Sequence, residues 1–333
     1  MLEEGCEGGI QKPNGGGKNM KYCLIAGDAP KEDEQLVMSG LFAWKYAFDR
    51  CRGRGEYTTN LSREFLEDYD YIHINYVPAT ASLITAVRDA IGESDTKIVV
   101  NTDHGIGMMD GAYDPFIMRK VMADADRIFC TEGYMTRRME TFLERKVWHI
   151  PHPCDVDTIE ANFKRPSPEA YVISCQHHRY MNTWATYFFA TRKVKKEYDA
   201  SVVLMNYVKT AGNVRLETMF DDVMPRVKYT DYIEALSKVF ANMDTTLDYT
   251  YGRGVVDAAA LGVPTVGGDS IEAMRVLFPD LACRNVDDRA MEEKLEKLAT
   301  DPDFASEVLN RASERVKVYG FRRSIEKWME MVE

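Results

Sequence analysis

The sequence predicts an α/β protein of two domains, each built around a parallel sheet. Three observations lead there. Short β-branched and aromatic runs alternate with longer amphipathic stretches in both halves of the chain, and a strand that returns parallel to its neighbour needs a helix in between. Pro166-Ser167-Pro168 interrupts the alternation midway, and AYVISC at 170–175 restarts it. At 333 residues the chain is long enough for two separate cores.

Composition narrows the class further. Hydrophobic residues make up 45% of the chain, an ordinary share for a globular protein, and no apolar run is long enough to span a bilayer. The N-terminus lacks an apolar signal core, so a cytoplasmic protein is expected. The seven cysteines show no C-x-x-C spacing and read as reduced core fillers. A net charge of −11 argues against nonspecific nucleic-acid binding by the whole surface, though a local basic face is compatible with it.

In the first half, residues 1–20 are rich in Gly, Glu, Lys and Asn without apolar periodicity and read as a flexible tail. Residues 21–26 (KYCLIA) form a buried strand ending at Gly27-Asp28-Ala29-Pro30. A helix is expected over 32–49, with Leu36, Leu41, Trp44 and Phe48 near one face. Arg50, Arg52 and Arg54 then lie in a solvated loop, with a phosphate or acceptor contact as the sharper alternative. A strand at 69–77 stops at Pro78, and Thr80 caps a helix running to Ile91. The strand at 97–101 (KIVVN) carries Asp103 and His104 to its C-terminal end, where open α/β sheets hold their ligands. There the His104 imidazole could face a ligand and Asp103 could bond a sugar hydroxyl; the plainer readings are a loop histidine and a turn-capping aspartate. A helix at 113–123, a strand at 125–130, a helix at 132–144 and a strand at 147–151 complete this half. Asp155-Val156-Asp157 sits at a linker, and His149, His152 and Cys154 match no zinc spacing, so no metal site is expected.

After the strand at 170–175, Arg179 lies in the loop before a helix at 183–197, and its guanidinium suits phosphate oxygens; a surface salt bridge is the alternative. Strands at 201–207 and 227–229 and a helix at 231–243 precede the central stretch, residues 247–268. That stretch reads as a loop, a glycine turn, a short helix opening near Gly254, a stop at Gly262 and a buried strand at 263–266. Gly252 and Gly254 let backbone amides approach a ligand, and Arg253 adds a cation where the helix dipole favours an anion. Asp257 lies one turn on, so its carboxylate can accept ribose hydroxyls while a diphosphate sits at the helix start. A plain strand-turn-helix joint accounts for the same glycines by geometry alone. The turn at 267–270 offers a second place for hydroxyl or phosphate contacts. Charged amphipathic helices at 287–298 and 305–318 follow, then a terminal helix at 321–332 with Ile325, Trp328 and Met329 toward one side.

The stretch at 247–268 resembles the donor-binding segment of retaining glycosyltransferases with two facing Rossmann-like domains, the GT-B fold, and family four in particular. Tyr249-Thr250-Tyr251-Gly252 stands at the family's Glu-Gly-Phe-Gly block, Asp257-Ala258 at its Glu-Ala, and Gly262-Val263-Pro264 at its Gly-Val-Pro. Tyr249 replaces the acid that contacts the donor sugar in the family, and Asp257 is one methylene shorter than the acid that holds the ribose. His104 matches a histidine that lies near the donor sugar. Arg179 matches the arginine of a diphosphate-neutralising pair whose lysine is missing here, and Arg253 would compensate from the opposite side.

The resemblance implies an acceptor domain at 21–155, a nucleotide-sugar domain at 156–318 and a terminal helix, 319–333, that returns to the first domain. It implies a nucleotide-sugar donor substrate and no separate cofactor, with donor contacts from Arg179, Tyr249, Tyr251, Gly252, Arg253, Gly254 and Asp257 and a catalytic role for His104; Asp103 joins His104 as a catalytic candidate by its place at the strand end. Residues 75–80, the Arg179 loop and residues 247–250 are also similar to pieces of bacteriophage DNA α-glucosyltransferases, which modify hydroxymethylated bases. The acceptor classes are therefore a glycan, a small molecule or a modified DNA base, the last reached by base flipping past a rim of Arg50, Arg52, Arg54, Arg137 and Arg138. The missing acid and lysine also admit a catalytically silent nucleotide-binding or interaction protein on the same fold.

Overall fold

Two six-stranded parallel sheets organise the chain. The computed structural model describes residues 19–25, 40–103, 114–163, 171–176, 184–207 and 219–333. The first sheet comprises β1 (Met20–Ile25), β2 (Gly53–Thr58), β3 (Tyr71–Asn75), β4 (Lys97–Thr102), β5 (Arg127–Cys130) and β6 (Trp148–His149), in the order β2-β1-β3-β4-β5-β6. The second comprises β7 (Val172–Gln176), β8 (Ser201–Tyr207), β9 (Asp222–Pro225), β10 (Ala241–Asp244), β11 (Thr265–Gly268) and β12 (Ala282–Cys283), in the order β12-β11-β10-β7-β8-β9. Strand order reverses between β1 and β3 and again between β7 and β10. At such a reversal the loops leaving the strand ends diverge and open a crevice, so topology alone marks the ends of β7 and β10 as a ligand position.

Helices cover both faces of each sheet. In the first half these are α1 (Ala43–Cys51), α2 (Arg63–Leu66), α3 (Ala81–Ile91), α4 (Pro115–Met122) and α5 (Gly133–Leu143). α6 (Val156–Asn162), α7 (Trp184–Tyr198), α8 (Tyr229–Ser237), α9 (Arg253–Ala260), α10 (Glu272–Leu277), α11 (Asp288–Thr300), α12 (Pro302–Val316) and α13 (Phe321–Val332) follow. One face of the first sheet packs on α2 to α5 through Leu66, Ile84, Val87, Met118 and Met139. The opposite face packs on α1 and, from the far end of the chain, on α13. In α13, Phe321, Ile325, Trp328 and Met329 recur at helical spacing and are all buried. Trp328 lies among Trp44, Phe48, Tyr22 and Phe129, with ring centroids at 5.0, 5.4, 5.5 and 5.6 Å. The terminal helix thus crosses back to the first domain, where that sheet face buries its apolar stripe. Beside it His73 is fully buried, its Nδ1 2.6 Å from the Tyr22 hydroxyl and its Nε2 2.8 Å from Asn101 Oδ1, and burial pushes its pKa down to about 3.

Several elements differ from the sequence expectation. α1 begins at Ala43 rather than near 32, after a turn at Gly40 with φ +105°. The Arg50–Arg54 region is not a loop: it contains the end of α1 and the edge strand β2. Its glycines are steric, since a Cβ on Gly53 would stand 2.4 Å from Met20 O and one on Gly55 would stand 2.1 Å from Lys45 O. Charges and glycines disguised it as a loop, and an edge strand tolerates both. The helix expected over 231–243 ends at Ser237, and residues 241–244 form β10, one of the two strands at the reversal. No Gly or Pro separates the two elements, so the apolar run fits either period. The strand expected at 227–229 lies instead at β9, and Tyr229 opens α8. The expected tail through residue 18, the Pro166-Ser167-Pro168 linker, His104 and Arg179 lie outside the described residues. Among the described residues no helix is long and apolar enough to cross a membrane.

Candidate functional site

The second sheet builds one wall of a cleft from the reversal outward. Asn242 on β10 ties its neighbours together: its Oδ1 accepts from Ser174 Oγ at 2.9 Å and from Gln176 Nε2 at 3.0 Å, and its Nδ2 donates to Thr265 Oγ1 at 3.3 Å. Buried amides and hydroxyls satisfied this way hold three strand ends in one register. Gln176 then lies under the start of α9, where a Cβ on Gly254 would come within 3.3 Å of its side chain. Gly252, the residue preceding α9, has φ +87°, and a Cβ there would stand 2.3 Å from Ile271 Cγ2. Both conditions require glycine at this turn.

Arg253 heads α9, which has no capping side chain and no acidic residue in its first turn. The helix start is therefore open to an anion. The Arg253 side chain is solvent-exposed yet set among many neighbours, within the fields of Asp257, Tyr232, Tyr229 and Asp103; a Cβ on Gly40 of the first domain would lie 3.7 Å from its Cδ. Exposure inside a crowded surround is the mark of a concave surface. Burial works to lower the pKa of the guanidinium, and the field of Asp257 and the nearby phenols, with Asp103, outweighs it, so the net shift is upward and the cation is secure.

The opposite wall comes from the first sheet. Asp103 follows β4, with its side chain 32% exposed; Thr131 donates to its Oδ1 at 3.1 Å, and His152 Nε2 lies 3.2 Å from its Oδ2. One strand further, Glu132 caps α5 by accepting from Met135 N at 2.7 Å and receives Arg275 from α10 at 2.8 Å. Burial raises the Glu132 pKa, the Met135 amide lowers it, Glu272 raises it and Arg275 lowers it, with an upward net. Glu272 from the second domain accepts from Gly133 N at 2.5 Å and contacts His149 Nε2 at 2.8 Å. Tyr249 stacks on Tyr134 across the cleft with ring centroids 4.1 Å apart. The two domains therefore meet through charged and aromatic contacts at facing strand ends.

The structure brings Arg253, Gly252, Gly254 and Asp103 to one cleft and gives the other expected residues more particular places. Asp257 is 0% exposed, with the Tyr229 hydroxyl 2.8 Å from its Oδ1. Tyr251 is 4% exposed and donates to the His152 carbonyl at 3.0 Å, so its ring anchors the turn from behind. Tyr249 faces the first domain. Of the expected basic rim, Arg50 bonds Asp155 at 2.6 Å and Arg54 bonds Glu56 at 2.6 Å, whereas Arg137 and Arg138 are exposed beside the Tyr134 ring. Among the described residues no cluster of His, Cys, Asp and Glu has the geometry to hold a metal ion. Sequence reasoning passed over Gln176, Glu132, Glu272 and Arg275. Gln176 and Glu132 stand at the ends of β7 and β5, so the strand-end rule that singled out Asp103 reaches them too; Glu272 and Arg275 carry no such signal.

No family model and no curated protein matches the chain. Solved structures do. A UDP-forming trehalose-phosphate synthase from Burkholderia xenovorans superimposes with a TM-score of 0.66 at 13% identity, over 80% of this chain and 74% of the other. The fold is GT-B. The N-terminal domain of a Candida albicans trehalose-6-phosphate phosphatase gives a TM-score of 0.62 at 11% identity, over 80% and 71% of the two chains. Staphylococcus aureus TarM, solved with UDP, gives 0.61 at 12% identity, over 82% and 56%. Identity this low speaks for architecture alone.

Proposed function

We propose that the protein is a glycosyltransferase that moves a sugar from a nucleotide-sugar donor to an acceptor, with retention of anomeric configuration and without a metal. Arg253 carries the proposal: a secure cation on an uncapped helix start, open to solvent inside a crowded cleft. When the bond from sugar to diphosphate breaks, negative charge grows on the leaving oxygen. A fixed guanidinium and the amides of the α9 start stabilise that charge without reorganising, which lowers the barrier. Arg179 would add a second cation from the β7–α7 loop. Asp257 would take the ribose hydroxyls once donor binding moves aside the Tyr229 side chain that covers it, and Asp103, with His104 beside it in sequence, would bond the sugar from the other wall. The first nucleotide to test is UDP, since one structural neighbour is UDP-forming and another was solved with UDP. The acceptor classes are a glycan, a small molecule such as the glucose 6-phosphate bound by one neighbour, or a modified DNA base contacted by Arg137 and Arg138. A thermal-shift screen of nucleotide sugars, followed by mass measurement of candidate acceptors, tests the proposal. Failure of every nucleotide diphosphate and nucleotide sugar to bind refutes it.

One observation favours a second reading, a catalytically silent nucleotide-binding protein. The two positions where the resembling family carries acids hold a tyrosine stacked on the other domain and an aspartate sealed from solvent. Hydrolysis of the bound donor in the absence of acceptor separates the two. An enzyme of this kind transfers slowly to water, and a silent binder returns the donor intact.

A further inference from the structure

We infer that His152 positions the Asp103 carboxylate in the cleft and couples it to the donor turn of the second domain. This rests on the glycosyltransferase reading for its purpose, and on geometry for its content. His152 is 1% exposed and sits where the chain leaves the first domain. Trp44 Nε1 donates to its Nδ1 at 3.0 Å. An indole N–H can only donate, so Nδ1 carries a lone pair and the ring proton resides on Nε2. Nε2 lies 3.2 Å from Asp103 Oδ2, a close contact without hydrogen-bond geometry, and Thr131 donates to the other carboxylate oxygen. The Thr131 hydroxyl thus fixes one carboxylate oxygen and the imidazole lies against the other, while the Asp103 charge contributes to the field at Arg253.

The second half of the inference comes from the same residue's backbone. Tyr251 O–H donates to the His152 carbonyl at 3.0 Å, and its ring lies edge-on to the imidazole at 6.0 Å and 89°. Tyr251 immediately precedes Gly252, Arg253 and Gly254, so one hydrogen bond links that turn to the His152 backbone. Behind the ring, Trp44 packs on Trp328 of the returning helix at 5.0 Å, which gives the imidazole a rigid backstop. His152 therefore touches neither donor nor acceptor: it is a positioning residue whose effect passes through Asp103.

Two arms test this on the full chain. In the first, nitrogen-15 histidine spectra should show His152 as the Nε2–H tautomer, and Asp103→Asn should move the Nε2–H resonance. An Nδ1–H tautomer, or a resonance indifferent to Asp103→Asn, overturns the inference whatever the protein catalyses. In the second, His152→Gln places an amide donor near the Nε2 position and His152→Asn does not. The Asn variant should lose at least about tenfold in kcat with UDP affinity within about twofold of the parent, and the Gln variant should recover most of that loss. Equal kcat for the two variants, with both folded, overturns the inference. If the parent shows no nucleotide-sugar turnover, the glycosyltransferase reading fails by itself and the spectral arm alone decides the His152–Asp103 coupling.

Discussion

Replacing Arg253 with alanine removes the guanidinium while leaving the helix start, the glycine turn and their backbone amides in place. The expected loss is that of a charge-assisted hydrogen bond to phosphate, about 1.5 to 3 kcal/mol. At about 1.4 kcal/mol per decade this weakens nucleotide diphosphate binding roughly 10- to 150-fold. The remaining α9 dipole supplies about 0.3 to 1 kcal/mol, so binding should weaken rather than vanish. Arg253→Lys keeps the charge but loses the planar fork, and its affinity should fall between the two. Titration calorimetry with UDP at fixed ionic strength measures all three proteins, and circular dichroism checks that they fold. Since the Arg253 pKa is raised and UDP is fully ionised above about pH 7.5, the difference between parent and Ala variant should stay constant from there to about pH 9. Affinity of Arg253→Ala within twofold of the parent, with the fold intact, refutes the assignment of the diphosphate to this turn.

Four further outcomes are expected. Asp257→Asn, at a fully buried position bonded to Tyr229, should cost about 1 to 3 kcal/mol in a denaturant titration and weaken UDP binding; a ligand-bound structure with the ribose bonded elsewhere would remove it from the site. His104→Ala should leave UDP affinity nearly unchanged and lower turnover at least about tenfold, roughly 1.4 kcal/mol of barrier, in assays with a verified donor and acceptor. Trp328→Ala should destabilise the first domain by about 3 to 5 kcal/mol, because the indole is fully buried against the rings of Tyr22, Trp44, Phe48 and Phe129 among others; a midpoint shift below about 1 kcal/mol contradicts the packing described. His73 has a pKa lowered from 6.5 to about 3 in the fold, so the unfolded chain takes up its proton first as pH falls. Its contribution is complete above the unfolded value and is lost as pH drops from about 6.5 to about 3, on the order of 4 to 5 kcal/mol at 1.36 kcal/mol per pH unit. Denaturation midpoints between pH 7 and 4 should fall less steeply in His73→Gln.

Much of the architecture was written locally. Alternation of apolar runs with amphipathic stretches was enough for parallel βαβ units, because strand period, helix period and Gly or Pro punctuation all act within a few residues. α13 appears at its expected bounds, since its apolar stripe is strict and Gly320 precedes it. The same local logic failed where two elements abut without punctuation, as at α8 and β10, and where a strand carries the composition of a loop, as at β2. In the cleft, the glycine turn and Arg253 were legible because a helix start advertises its anion preference in its own residues.

What only the tertiary structure decided is which of these residues meet. Asp257 looked like an open acid one turn into a helix, but the Tyr229 hydroxyl, 28 positions earlier, covers it. Tyr249 looked like a lost acid, and Tyr134 of the other domain gives its ring a stacking partner. His152 carried only the suggestion of a metal ligand until Trp44, 108 positions away, fixed its tautomer and Asp103 came within reach of its other nitrogen. Sequence determines secondary structure through contacts a few residues long, whereas the protonation, exposure and aim of a polar side chain depend on neighbours that only the closed fold assembles.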